Sequence, residues 1–158
     1  MNVEFRSYRP SDATILPELF MRALRSVYPD AEFGTWTDDL SDIEATYLRG
    51  GDVIVGIEGD RIVAMGAIKP VDASTVEMKR VAVDPNHHGQ GLGQALLGAI
   101  EARARALGFK RMILDTTSKQ VAARRLYDKN GYRQIDRRMV DHASGNRFDI
   151  FFYEKTLD

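Results

Sequence analysis

The chain has 158 residues, 44% of them hydrophobic and 28% charged, with a formal net charge of −1 and no cysteine. That is enough for one domain around one core, of ordinary soluble globular composition. The charge argues against a global basic field that would recruit nucleic acid, and the lack of thiols excludes disulfides, thiolate metal sites and a cysteine nucleophile.

In chain order, Val3 to Tyr8 alternates apolar and polar residues, as a first strand does. This charged opening does not read as a signal peptide, and no apolar run is long enough to span a bilayer. The expectation is a cytoplasmic protein with no membrane partner. Arg9-Pro10-Ser11-Asp12 stops the strand and offers an N-cap for a helix to about Val27, in which Ile15, Leu16, Leu19, Phe20, Ala23, Leu24 and Val27 form the buried side. Pro17 falls in its first turns. Thr37-Asp38-Asp39 reads as the cap of a second helix to about Leu48, ended by Gly50-Gly51. Val53 to Glu58 and Arg61 to Lys69 are two strands joined by Gly59-Asp60, and their apolar character on both faces predicts central positions. Ser74 to Val83 is the next strand. A helix from about Gln94 to Leu107 follows, with Gly108 as its stop. Arg111 to Asp115 is a short strand, Thr116 to Ser118 caps a helix running to Asn130-Gly131, and Tyr132 to Val140 and Asn146 to Lys155 are the last two strands. The pattern predicts a single domain over residues 1–158, an α/β or α+β mixed sheet with helices on its faces.

The most informative stretch joins the third of the central strands to the long helix. Val81-Ala82-Val83 closes the strand, Asp84-Pro85-Asn86 is turn chemistry, and Gly89, Gly91 and Gly93 lead into the helix. The first amides of a helix lack intrahelical acceptors and carry partial positive charge. Glycine lets a ligand approach that backbone closely. The combination suits a phosphate or pyrophosphate. No Lys-Ser or Lys-Thr pair follows the last glycine, so this is not a Walker loop, and with no second nucleotide-binding half it makes a poor Rossmann fingerprint. Glycines that only sharpen a turn remain the alternative on spacing alone.

His88-Gly89-Gln90-Gly91-Leu92-Gly93, followed by Gln120-Val121-Ala122-Ala123-Arg124-Arg125-Leu126-Tyr127-Asp128-Lys129-Asn130-Gly131-Tyr132, resembles the two signature motifs of the GNAT superfamily of N-acetyltransferases, in order and at the expected distance. The resemblance is strongest from Glu77 to Tyr132. It departs at His88, where Arg or Gln is usual, and at Gln120, where Asn is common. It implies a mixed, mostly antiparallel central sheet flanked by helices, and acetyl-CoA as co-substrate with no metal. It further implies that Val81, Ala82 and Val83 run beside the pantetheine arm, that His88, Gly89, Gln90, Gly91, Leu92, Gly93 and Gln94 hold the pyrophosphate, and that Gln120, Ala123 and Tyr127 face the rest of the coenzyme.

Within that resemblance Tyr127 is the candidate general acid, since a phenol beside the leaving sulfur can protonate it or hydrogen-bond it. Ala123 shares its helical face. A packing tyrosine near a helix end is the alternative. Glu77 is the candidate base, because most substrate amines are protonated at neutral pH and must lose a proton to attack. Strand alternation predicts that Glu77 shares a face with Lys79, Val81 and Val83; its structural alternative is a carboxylate paired with Lys79 or Arg80. His87 reads as a loop residue, Arg103, Arg105, Lys110 and Arg111 as a solvated helix end, and Arg124 and Arg125 either as surface or as reaching the coenzyme 3′-phosphate. Tyr28 and Trp36 lie in the segment that helps wall the acceptor site in this family, with hydrophobic packing as the simpler reading. The expected activity is direct transfer of acetyl to a primary amine of a small molecule or peptide. Transfer of another acyl group, or acyl-CoA sensing without turnover, are the alternatives. Phe148 to Tyr153 offers an edge for a homodimer.

Overall fold

In the computed structural model, which describes residues 2–31, 38–141 and 147–158, the strands are β1 (Val3–Ser7), β2 (Asp52–Glu58), β3 (Arg61–Pro70), β4 (Thr75–Val83), β5 (Arg111–Thr117), β6 (Arg133–Asp141) and β7 (Arg147–Thr156). The helices are α1 (Ile15–Arg25), α2 (Ile43–Tyr47), α3 (Leu92–Ala106) and α4 (Val121–Lys129). All seven strands form one sheet in the order β1-β2-β3-β4-β5-β7-β6, so Phe148 to Tyr153, expected at an edge, lies in β7, which is paired on its two sides by β5 and β6. Every pairing is antiparallel except β4 with β5. β2 and β3 are central and covered on both sides, as their doubly apolar sequences predict.

Two apolar clusters sandwich the sheet. On one face Leu92, Leu96 and Ile100 of α3, with Tyr127 of α4, pack over Ile68, Val76, Met78, Met112, Leu114 and Phe151. A Cβ on Gly66 would lie 2.3 Å from Ile100 Cδ1, so only glycine lets α3 seat this closely on β3. On the other face Leu16, Leu19, Phe20 and Leu24 of α1, with Ile43 and Tyr47 of α2, pack over Val53, Val55, Met65, Ala67 and Ala82.

Several local expectations are revised. The first helix begins at Ile15 after a separate 3₁₀ turn, Pro10–Asp12, because the Asp12 carboxylate is taken by Arg6 and by the Arg9 amide; Ile15, in its first turn, is exposed, and Val27 lies beyond its end at Arg25. The second is split into a 3₁₀ turn, Asp38–Ser41, and α2, with Asp42 rather than Asp39 as the cap. Asp39 is occupied elsewhere. Thr37 lies outside the described residues, as do Trp36 and Asn146. Thr116 and Ser118 do not cap α4: Thr116 bonds the Gln120 side chain, and Ser118 accepts from the Asp149 amide. The supposed solvated helix end is largely paired, Arg103 with Asp52, Arg105 with Glu101 and Arg111 with Glu154. Among the described residues no helix is long and apolar enough to cross a membrane.

Candidate active site

The site begins where the sheet comes apart. β4 and β5 pair only from Thr75 to Glu77 against Arg111 to Ile113. Beyond Glu77 the strands diverge, and α3 and α4 both begin at the open end of the gap. Parallel strands that part leave unpaired backbone groups along one edge, which need a partner.

A bulge decides which groups those are. The β3–β4 register moves from Ala67↔Lys79 to Met65↔Ala82, so Arg80 and Val81 together oppose Gly66. Arg80 sits at φ 57°, the only described non-glycine residue with positive φ. An arginine there is strained by on the order of 1 kcal/mol. Its side chain holds the bulge from outside: Nε and Nη2 donate to the two Asp39 carboxylate oxygens at 2.9 and 2.8 Å, Tyr47 donates to the same carboxylate, and the guanidinium stacks on Phe20. Burial works against the charged form of Asp39, but the hydrogen bonds from Arg80 and Tyr47 outweigh it and hold the carboxyl below its usual range.

The extra residue inverts the strand's alternation. Val76, Met78, Val81 and Val83 all pack on the α3 side, while Ala82 packs on the α1 side. Glu77 therefore does not share a face with Val81 and Val83. It shares the α1 face with Lys79, and neither the Glu77–Lys79 nor the Glu77–Arg80 ion pair forms. Past the bulge the Asp84 amide donates to Val63 O at 2.8 Å. Alternation then turns Ala82 toward β3 as well, and points the amides and carbonyls of Val81 and Val83 into the gap. The His88 ring nitrogen Nε2 lies 3.3 Å from Val83 O on that side.

The loop that follows is built to expose backbone. Asp84, buried and paired with Arg22, accepts from the Asn86 amide and starts a 3₁₀ turn, Pro85–His87. Gly89 and Gly91 both have φ 77°, and Gly91 is the N-cap of α3. A Cβ at Gly89 or Gly91 would meet nothing within 4 Å, so the loop is open on its outer side. This arrangement fits a pyrophosphate on structural grounds. Gln90 is exposed and Leu92 is buried, so Leu92 offers only its backbone. The Gln94 side chain does not face the loop: it exchanges two hydrogen bonds with Asn130, at 2.7 and 2.9 Å, and ties α3 to the end of α4. Only its backbone remains for a phosphate. His87 turns away, with Nε2 3.1 Å from Glu58. The histidine, carboxylate and other metal-ligating residues among those described form no cluster of three.

Across the gap, Gln120 is the N-cap of α4 and accepts from Thr116 at 2.7 Å. Ala123 and Tyr127 both join the α3-side core, one turn apart. Tyr127 is 5% exposed, with its ring 5.5 Å from Tyr132 and 6.1 Å from Tyr153. Its hydroxyl bonds no described residue, whereas Tyr132 donates to buried Glu101. Burial, and then the negative charge of Asp115, push the Tyr127 phenol above its ordinary range. Asp115 faces away from the α3-side core, on the same side of the sheet as Glu77. Arg124 stacks at 3.8 Å over Phe151, so its guanidinium packs on the sheet. Tyr28 hydrogen-bonds Thr117 and packs 6.1 Å from Phe148.

A split between parallel strands, a bulge beside it and a glycine turn into a helix make a slot that suits an extended ligand ending in a phosphate. The model of the acetyltransferase (GNAT) family matches residues 16–132. The chain belongs to that family. Human N-acetyltransferase 8 is 35% identical over 107 residues, covering 63% of this chain and 47% of that protein. Human N-acetyltransferase 8B is 32% identical over 130 residues, 77% of this chain and 56% of that protein. The chain thus spans about half the length of the curated relatives it matches. The protein yncA of Salmonella typhimurium, solved with its cofactor acetyl-CoA, is 25% identical with a TM-score of 0.81, over 100% of this chain and 95% of that one.

Sequence reasoning found both motifs, but missed Arg80, Asp39 and Tyr47 as the brace of the bulge. No glycine or proline marks that position.

Proposed function

We propose that the chain transfers acetyl directly from acetyl-CoA to a primary amine. The observation that carries this is the backbone of Val81 and Val83, left without a strand partner along the β4–β5 gap and leading into the glycine turn at the start of α3. The acetyl-CoA held by yncA, on the same fold, supports the choice of donor.

The thioester supplies the acetyl carbon and a leaving sulfur. Val81 and Val83 align it as an added strand would, and the amides of the loop from Gly89 to Gln94, with His88, receive the pyrophosphate. Gln120 and Ala123 flank the arm on the α4 side. Glu77 lies where the strands part and takes a proton from the acceptor ammonium, directly or through water. Tyr127 donates a hydrogen bond to the sulfur as charge develops there. Because its proton is held more tightly than usual, partial donation in the transition state fits better than complete transfer to a free thiolate.

The test is thiol release from acetyl-CoA with a panel of amines. Acetylated amine formed in step with released thiol is the expected result. Binding of acetyl-CoA without product from any amine would favour a sensor role.

A further inference from the structure

Glu77 and Lys79 stand on one face of β4, two residues apart and both half-buried. Their Cα atoms are roughly 6.6 Å apart by strand geometry, within easy reach for two long side chains of opposite charge. Yet they do not pair with one another, and neither forms an ion pair or side-chain hydrogen bond with any described residue. The half-buried charge next along the strand is matched: Arg80 pairs with Asp39. Of the remaining charges on this face, Lys69 lies opposite Glu77 but is exposed, and Asp115 lies on β5, across the gap.

A half-buried charge without a counter-charge loses hydration and gains little in return. Two such charges of opposite sign, side by side at the point where β4 and β5 part, are complementary to a ligand that itself carries both signs close together. We infer that the acceptor is a zwitterionic amino acid, its ammonium received by Glu77 and its carboxylate by Lys79. The inference rests on the acetyl-transfer reading above and adds the acceptor class and a specificity residue to it. In the reaction the amine nitrogen forms a bond to the acetyl carbon and the carbon–sulfur bond breaks. One proton of the ammonium passes to Glu77 and on to solvent. The second proton leaves the nitrogen to solvent after the bond forms, and the sulfur, hydrogen-bonded by Tyr127 as it departs, takes one proton from solvent to become the thiol, so one proton is released overall.

The experiment compares the common L-amino acids with their α-carboxamides as acceptors, by kcat/KM from thiol release, in the wild type and in Lys79→Met and Lys79→Arg. Taking the ratio of the two acceptors within each protein, then comparing proteins, cancels the different basicity of amine in acid and amide. The wild type should prefer the free carboxylate, and Lys79→Met should lower that preference by about tenfold or more, as expected for one charged hydrogen bond. Lys79→Arg should keep most of it. A merely structural lysine would depress both acceptors alike and leave the ratio unchanged, which would overturn the inference. So would a wild type that acetylates carboxamides as well as acids. No thiol release with any amine would instead overturn the acetyl-transfer reading itself.

Discussion

Tyr127→Phe separates chemistry from packing at the site. The substitution removes one oxygen from a ring held 5.5 Å from Tyr132 and 6.1 Å from Tyr153. That oxygen bonds no described residue, so its loss strands no buried donor or acceptor, and stability should change by no more than about 0.5 kcal/mol. Turnover is another matter. If the phenol meets the sulfur mainly as charge develops, the KM for acetyl-CoA stays close to wild type and kcat falls ~10²-fold, or about 2.7 kcal/mol of transition-state stabilisation. A thioester donor with a more acidic thiol needs less help and should recover part of the loss. The assay is thiol release at saturating donor, run beside a thermal melt. Full turnover in the variant would return Tyr127 to a packing role. A fall in turnover matched by a fall in melting temperature would show that the ring had moved, and the argument for donation would fail.

Gly93 is helical with ordinary φ, and a Cβ there meets Leu126 Cδ2 at a comfortable 3.6 Å, so Gly93→Glu should fold yet lose measurable coenzyme A binding in calorimetry. Glu77→Gln should lower turnover most at low pH, where the amine is protonated, with recovery as pH rises; a uniform reduction across the pH–rate profile would make Glu77 a positioning group. Asp39→Ala leaves Arg80 without its partner on a strained bulge. Both side chains are about one-fifth exposed, at 22% and 18%, so the loss should be about 2 kcal/mol, between surface and buried pairs, read as a lower melting temperature. Burial raises the phenols of Tyr47, Tyr127 and Tyr132, reinforced by carboxylates close to each. Above about pH 10 the unfolded chain gives up those protons while the folded one keeps them. Stability should therefore be full below pH 10 and fall as pH rises, by up to about 1.4 kcal/mol per pH unit for each tyrosine, and urea melts of Tyr127→Phe should show a shallower decline.

The order of elements and the glycine turn were legible because each rests on local chemistry. Gly59-Asp60 does close a hairpin, with Gly59 at φ 64°, and Gly91 does open α3 from a left-handed conformation. What escaped reading depends on long-range partners. Val81-Ala82-Val83 is apolar at every position, so the sequence carries no parity signal to betray the bulge before it, and strict alternation joins Val81 and Val83 to the face of Glu77 and Lys79, from which the bulge removes them. Asp39 looks like a helix cap until Arg80, distant in sequence, claims it. Gln94 looks like a phosphate ligand until Asn130 takes its amide. Polar side chains with several suitable partners are resolved only by the fold that brings one of them close.

The most direct test of the account is a single incubation of the chain with acetyl-CoA and a mixture of L-amino acids, read by mass spectrometry for acetylated products alongside released thiol. The account predicts N-acetylated amino acid equal in amount to the free thiol, with both lost together in Tyr127→Phe at matched protein. Thiol released at the wild-type rate with no acetylated amine would mean that water is the acceptor, and would contradict it.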